Sequence, residues 1–255
     1  MRSLFILTGL VLLALCAGFF FRWPWALSLW PWEDGKLSYL FLASICAGTA
    51  LPLFWIAAAK EYAAVRAGSL DFAVTYSGLF ATLLITYPAV QEWIAPSIAI
   101  GLCLGSLLLN LLLYAWSRKI PFRYAEPIPQ LLHVSFGLFF IAIMIVGISL
   151  IMRLPHIFPW PLKPQTSIVF GWIYLGAAMY FLYGFIYPVW GNVKGQLAGF
   201  LAYDLVLIWP FTQHLLATVK PEHQLSLIIY LGVLIYSAIL AIYYLFIHRP
   251  SRLLA

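Results

Sequence analysis

An aspartate stands inside an apolar run at Leu201-Ala-Tyr-Asp204-Leu-Val-Leu-Ile208. An ionisable group at membrane depth is expensive to hold, so it reads as a site by default. Two chemistries suit Asp204: a proton or cation site, or a carboxylate that is hydrogen-bonded between helices and fixes their packing. Asn110 falls at a comparable depth in another run and could donate to it, with Tyr203 and Tyr76 as nearby hydroxyl donors. His214 lies near the far end of the Asp204 run, and His133 near the start of an earlier one. Facing histidines across a bundle can hold a haem, but these two fall near opposite membrane faces and no C-x-x-C-H accompanies them. His156, His223 and His248 read as interfacial. No metal or other cofactor is therefore expected. No P-loop, H-E-x-x-H, G-x-S-x-G or paired-carboxylate motif appears, so no catalytic residue is named and nothing supports an enzyme.

The elements that position these residues follow from composition. Of 255 residues, 64% are hydrophobic and 9% charged, against about a quarter charged in soluble domains. Mean hydropathy is +0.98. About 20 residues at 1.5 Å rise cover the ~30 Å hydrocarbon core, and splitting the chain at charges, prolines and Gly-rich turns gives eight such spans. They are Leu4 to Phe21, Leu37 to Ala59, Phe72 to Trp93, Ile94 to Trp116, Leu131 to Met152, Ser167 to Tyr187, Leu197 to Thr218 and Leu225 to Ile247. The first is too long for a signal-peptide core and reads as an uncleaved helix. The fold class is all-α integral membrane. Cys16, Cys46 and Cys103 fall inside spans, with no spacing for a metal or a disulfide framework.

The net charge of +6 comes from basic residues placed singly or in pairs at the ends of spans, which serves topology rather than nucleic-acid binding. With eight spans both termini share a side. Nine of the 14 Lys and Arg lie on that side, so the positive-inside rule makes it cytoplasmic. Two outward linkers then stand out, Arg22-W-P-W-A-L-S-L-W-P-W-E-D-G-Lys36 and Arg153-L-P-H-I-F-P-W-P-L-K-P-Q-Thr166. Trp23, Trp25, Trp30, Trp32 and Trp160 suit a membrane-water boundary, where an indole keeps its body in hydrocarbon and its N–H in the headgroup layer.

The linkers also pair with each other. Trp30-Pro31-Trp32 aligns with Phe158-Pro159-Trp160 at an offset of 128, which superposes Ser38 on Thr166, Ala43 on Gly171, Ile45 on Ile173 and Gly48 on Gly176. After one gap, an offset of 127 matches Gly68 with Gly195, Tyr76 with Tyr203, and Leu104-Gly105 with Leu231-Gly232. This predicts a duplication, with a first four-helix repeat over 1–117, a cytoplasmic linker over 118–130 and a second repeat over 131–255. Four helices per half make the repeats parallel, about an axis along the membrane normal. The halves are not identical: Trp25 corresponds to His156, and three residues are missing before Phe158. If the outward face does more than anchor, that asymmetry is the place to look.

Small residues within spans permit close helix packing in lipid. Gly101-Leu-Cys-Leu-Gly105 makes one such face, and Ala43, Ala47 and Gly48, matched by Gly171, Gly176 and Ala177, make another. Pro52, Pro88 and Pro210 interrupt spans, but Pro52 aligns with Tyr180 and Pro88 faces no proline. The paired broken helices of an alternating-access transporter are therefore missing.

The stretch Phe158-Pro-Trp-Pro-Leu-Lys-Pro-Gln-Thr-Ser-Ile-Val-Phe-Gly171-Trp resembles a motif of uncharacterised bacterial multi-pass membrane proteins, in which Trp-Pro-Trp-Pro-Leu-Thr-Pro precedes a Thr and a Gly-rich helix. Pro159 to Leu162, Pro164, Thr166 and Gly171 match, while Lys163 departs. The resemblance covers one linker and one helix. It implies a bacterial inner-membrane location and carries no activity. The expectation is a non-enzymatic subunit or assembly partner, the alternative a small-solute or ion transporter using Asp204. Its partners are the lipid bilayer and another membrane protein or further copies of itself, not nucleic acid.

Overall fold

A backbone in hydrocarbon has no water to bond, so its N–H and C=O groups must be satisfied within the segment, and the helix is the open-chain solution. The computed structural model of the chain, which describes residues 1–30, 34–86, 96–217 and 219–248, is accordingly 82% helix, with no strands among the described residues. Eight long helices follow one another: α1 (Arg2–Phe20), α2 (Lys36–Ala59), α3 (Val65–Thr86), α4 (Pro96–Ser117), α5 (Gln130–Ile151), α6 (Pro164–Ile186), α7 (Trp190–Leu216) and α8 (Pro221–Ile242). Pro164 and Pro221 open their helices, where the missing N–H goes unused and the fixed φ suits the first turn.

Seven of these elements are long and apolar enough to cross a membrane; α7 is not among them. The expectation of eight spans is thus met in seven. At 27 residues α7 is the longest helix among the described residues. Its apolar character is diluted by Asn192, Lys194 and Gln196 in the first turns and by Asp204, Gln213 and His214 further on. The third span starts earlier than expected, because α3 takes in Arg66 and Asp71. The expected boundary at Trp93, together with Pro88 and Trp32, lies outside the described residues.

Helices α1 and α5 end alike. Arg22 and Arg153 adopt left-handed φ values of 58° and 56°, a conformation that costs a non-glycine residue about 1–2 kcal/mol. Each is held by a Schellman pair of backbone bonds: Arg22 N–H to Phe19 and Trp23 N–H to Gly18, then Arg153 N–H to Leu150 and Leu154 N–H to Ser149.

The described residues fall into two compact units. One holds α1, α2, α8, nearly all of α7 and the Pro155–Leu162 segment; the other holds α3, α4, α5 and α6. The units therefore cut across the sequence halves 1–117 and 131–255, since each takes two helices from each half.

In the first unit, a Cβ at Gly199 of α7 would lie 2.6 Å from the Gly48 carbonyl oxygen and 2.9 Å from Pro52 Cγ, both on α2. Only glycine admits that approach of α2 to α7. Phe158 and Trp160 are buried beside this seam, with Phe158 edge-on to Phe41 at 5.5 Å and Trp160 edge-on to Phe211 at 5.4 Å.

In the second unit, Gly147 of α5 and Gly171 of α6 face each other. A Cβ on Gly171 would sit 2.8 Å from the Gly147 carbonyl oxygen. On the opposite side of α6, the Trp172 indole lies over Gly78 of α3 and donates from Nε1 to Thr82 Oγ1 at 3.0 Å. Residues 124–128 pair with 188–191 through backbone bonds that include Ile128 N–H to Pro188 and Trp190 N–H to Glu126, both 3.0 Å.

Candidate functional site

Asp204 is 2% exposed, so it belongs to the interior of its unit and not to a lipid-facing surface. The Ser237 hydroxyl of α8 donates to its Oδ2. Nearby on α7 and α8, the hydroxyls of Tyr203 and Tyr230 are hydrogen-bonded, and the Tyr203 ring stands edge-on to Phe41 at 6.3 Å. One helix segment thus offers a carboxylate and a phenol to α8, while Leu205 and Trp209 beside them are 63% and 69% exposed. Polar groups inward and apolar groups outward is the pattern a lipid solvent demands.

The second unit holds a carboxylate that sequence reasoning missed. The Thr75 hydroxyl lies 3.3 Å from Asp71 Oδ1 and 3.4 Å from the Trp172 carbonyl oxygen. The Asp71 carboxylate rests against Gly176 of α6, where a Cβ would overlap it and would stand 2.6 Å from the Asp71 carbonyl oxygen. Tyr180 lies one turn beyond Gly176 on α6.

A third buried charge is Arg66, 9% exposed. Its Nε donates to the Ser117 carbonyl at 3.0 Å and its Nη2 to the Ile120 carbonyl, while the guanidinium lies 4.7 Å from the Phe122 ring centroid. The guanidinium thus sits on the last residue of α4 and on the turn that follows it, at the negative end of the helix dipole. Glu61, just past the left-handed Lys60 that ends α2, is also fully buried.

The other expected site residues are dispersed. Asn110 on α4 donates to the Ser106 carbonyl of its own helix at 2.8 Å. Tyr76 on α3 stacks on Phe72 at 6.1 Å. His214 is half-buried in the last turn of α7. His133 Nε2 lies 2.9 Å from the Phe185 carbonyl oxygen. Of the aromatic anchors, Trp23 and Trp25 are 45% and 47% exposed, and Trp30 donates to Asp34 Oδ2 at 2.9 Å. Trp160 differs from the expectation of an anchor: it is buried and donates from Nε1 to Ser38 Oγ at 3.0 Å, so its N–H is satisfied by α2 rather than by a wet headgroup layer. At Gly101 and Gly105 a Cβ would meet no atom within 4 Å, so that face packs on nothing among the described residues.

No protein-family model, curated protein or solved structure matches this sequence.

One group of metal-ligating side chains converges among the described residues: His156, Glu222 and His223, whose donor atoms all lie within 4.8 Å of one another. The asymmetric position in the second linker is thus the one that meets α8.

Proposed function

We propose that the chain is a bacterial inner-membrane protein of eight crossings that acts without catalysis, as a subunit or assembly partner in the membrane. The observation that carries this reading is that its intramembrane polar groups are engaged inside their own units: Asp204 with Ser237, Tyr203 with Tyr230, Asp71 with Thr75 and Asn110 with Ser106. Two of these pairs join α7 to α8 and two each lie within one helix, and groups so engaged favour a packing role.

In this reading α7 is the eighth crossing. Its length corresponds to about 40 Å at 1.5 Å per residue, more than the core requires, and its polar Gln196 and Asp204 are buried while Leu205, Trp209 and Leu216 face outward. Eight crossings put both termini on the cytoplasmic side. The bacterial location rests on the Trp-Pro-Trp-Pro-Leu resemblance.

The architecture is a duplication whose halves exchange helix pairs: α1–α2 of the first half packs with α7–α8 of the second, and α5–α6 of the second with α3–α4 of the first. Matching contacts support it. Gly48 meets Gly199 and Tyr203, and Gly176 meets Asp71 and Thr75; each residue of the second unit's set lies 128 positions from its counterpart in the first. Pro52, which a Cβ at Gly199 would meet, and Gly199 itself correspond at the same offset to Tyr180 and Asp71. The contacts favour one offset of 128 through α3 and α7, where residue identities alone match at 127.

Transport is the second reading, favoured by the presence of a membrane carboxylate in each unit. The test is a pair of measurements on Asp71→Asn and Asp204→Asn, which keep size and most hydrogen bonding. The subunit reading expects both variants to copurify the same membrane proteins as the parent chain from mild detergent, and expects vesicles reconstituted with the parent chain to carry no pH-dependent solute flux. A flux that disappears in either variant would replace that reading with transport.

A further inference from the structure

We propose that His156, Glu222 and His223 form a three-ligand site for a divalent transition cation of the zinc class. The site lies wholly within the first unit, between the Pro155–Leu162 segment and the first turn of α8.

His223 is the fixed ligand. It is 7% exposed, and its Nδ1 lies 3.1 Å from the Phe158 carbonyl oxygen. A carbonyl only accepts, so Nδ1 carries a proton, and in the neutral ring Nε2 presents its lone pair. This is the outer-sphere bond that sets tautomer and orientation in metal-ligating histidines. That lone pair faces Glu222 Oε1 at 3.7 Å, too long for a hydrogen bond. Two electron-rich atoms aimed into one small space are the arrangement a cation relieves.

His156 reaches the same space by an uncommon backbone. Its φ of 60° is left-handed, and a non-glycine residue persists there only where its surroundings impose it. The result is a ring centroid 5.4 Å from that of His223. His156 and Glu222 are exposed, so both can rotate to close the remaining gap.

Two imidazoles and a carboxylate, without thiolate, make the donor set of open zinc sites: three protein ligands at about 2.0–2.2 Å and a fourth position for water. The same set disfavours magnesium and calcium, which take oxygen ligands. Glu222, in the first turn of α8, supplies the negative charge that offsets the positive helix end beside a bound cation. A bound ion would tie the second linker to α8, a link the first linker cannot make with Trp25 in the corresponding position.

The test is calorimetric titration of the chelator-treated full chain in detergent with zinc chloride, and then with magnesium chloride. One zinc per chain is expected, with no heat from magnesium. His156→Ala and Glu222→Gln, at exposed positions where folding is not at stake, should each weaken binding at least tenfold; His133→Ala, in the other unit, should not. Cobalt substituted for zinc should give a visible d–d band that His156→Ala alters. Absence of zinc binding would overturn the proposal. So would zinc binding unchanged by His156→Ala and Glu222→Gln, which would leave His223 and Glu222 as a charge pair only.

Discussion

Gly176→Leu is expected to part α3 from α6 and to abolish the folded second unit in detergent, while Gly105→Leu leaves it intact. Even the first carbon of a side chain at position 176 would overlap Thr75 Oγ1 and Asp71 Oδ1. Those side chains can rotate, but the Asp71 carbonyl oxygen, 2.6 Å from the same point, is backbone and moves only with the helix. Overpacking a close seam costs about 1–3 kcal/mol for an added methylene or two, and leucine adds a branched chain at a site with no room for its base. Gly105 is the matched control, because open space surrounds it among the described residues. Size-exclusion chromatography after stepwise heating measures both. A Gly176→Leu chain that melts with the parent would mean that α3 and α6 do not approach here.

Arg66→Met is expected to lower the melting temperature by about 10 °C. Methionine keeps much of the apolar stem but takes the guanidinium donors from the Ile120 carbonyl and from the Ser117 carbonyl, which retains only its bond from Ile120 N–H. Hydrogen bonds to a charged group contribute about 1.5–3 kcal/mol each, so losing two costs about 3 kcal/mol or more. For a chain of this size each kcal/mol moves the midpoint by about 2–4 °C. Arg66→Lys should fall between, since an ammonium restores the charge but not the planar fork that reaches two carbonyls and lies over Phe122. If Arg66→Met melted with the parent chain, the clasp on the end of α4 would carry no stability.

The helices were legible because apolar runs of membrane length are a composition signal, and every expected span falls on one of the eight helices. What failed were inferences that used a charge as a boundary. Splitting at charges put Arg66 and Asp71 outside the third span, whereas α3 starts at Val65 and includes both, Arg66 buried and Asp71 half-buried against Gly176 of α6. A buried Arg that satisfies carbonyls, and an Asp that meets a hydroxyl one turn away, are held by partners no local pattern reveals.

The glycines divide in the same way. The recognisable G-x-x-x-G at Gly101 and Gly105 meets nothing within 4 Å among the described residues, while Gly48, Gly171 and Gly176 of the other expected small face lie at close seams completed by Gly147 and Gly199, which no pattern singles out. The His156 and His223 pair is separated by 67 positions, and only the left-handed turn at His156 brings the rings together. The one readable hint was the linker asymmetry that replaced Trp25 by His156.

Each unit combines helices from both halves of the chain. The most direct test of that exchange is oxidative cross-linking in native membranes of two double-cysteine chains, Gly48→Cys with Tyr203→Cys and Gly78→Cys with Trp172→Cys, the second of which removes the indole that a Cβ at position 78 would overlap, after replacing Cys16, Cys46 and Cys103 by serine. A Cβ at position 48 lies 3.4 Å from the Tyr203 Cβ, at the short end of the disulfide range of about 3.5–4.5 Å. Both pairs are predicted to form intramolecular disulfides, seen as a reductant-sensitive mobility shift of the monomer. Failure of both, or bonds that appear only between chains as a dimer band, would contradict the exchanged arrangement.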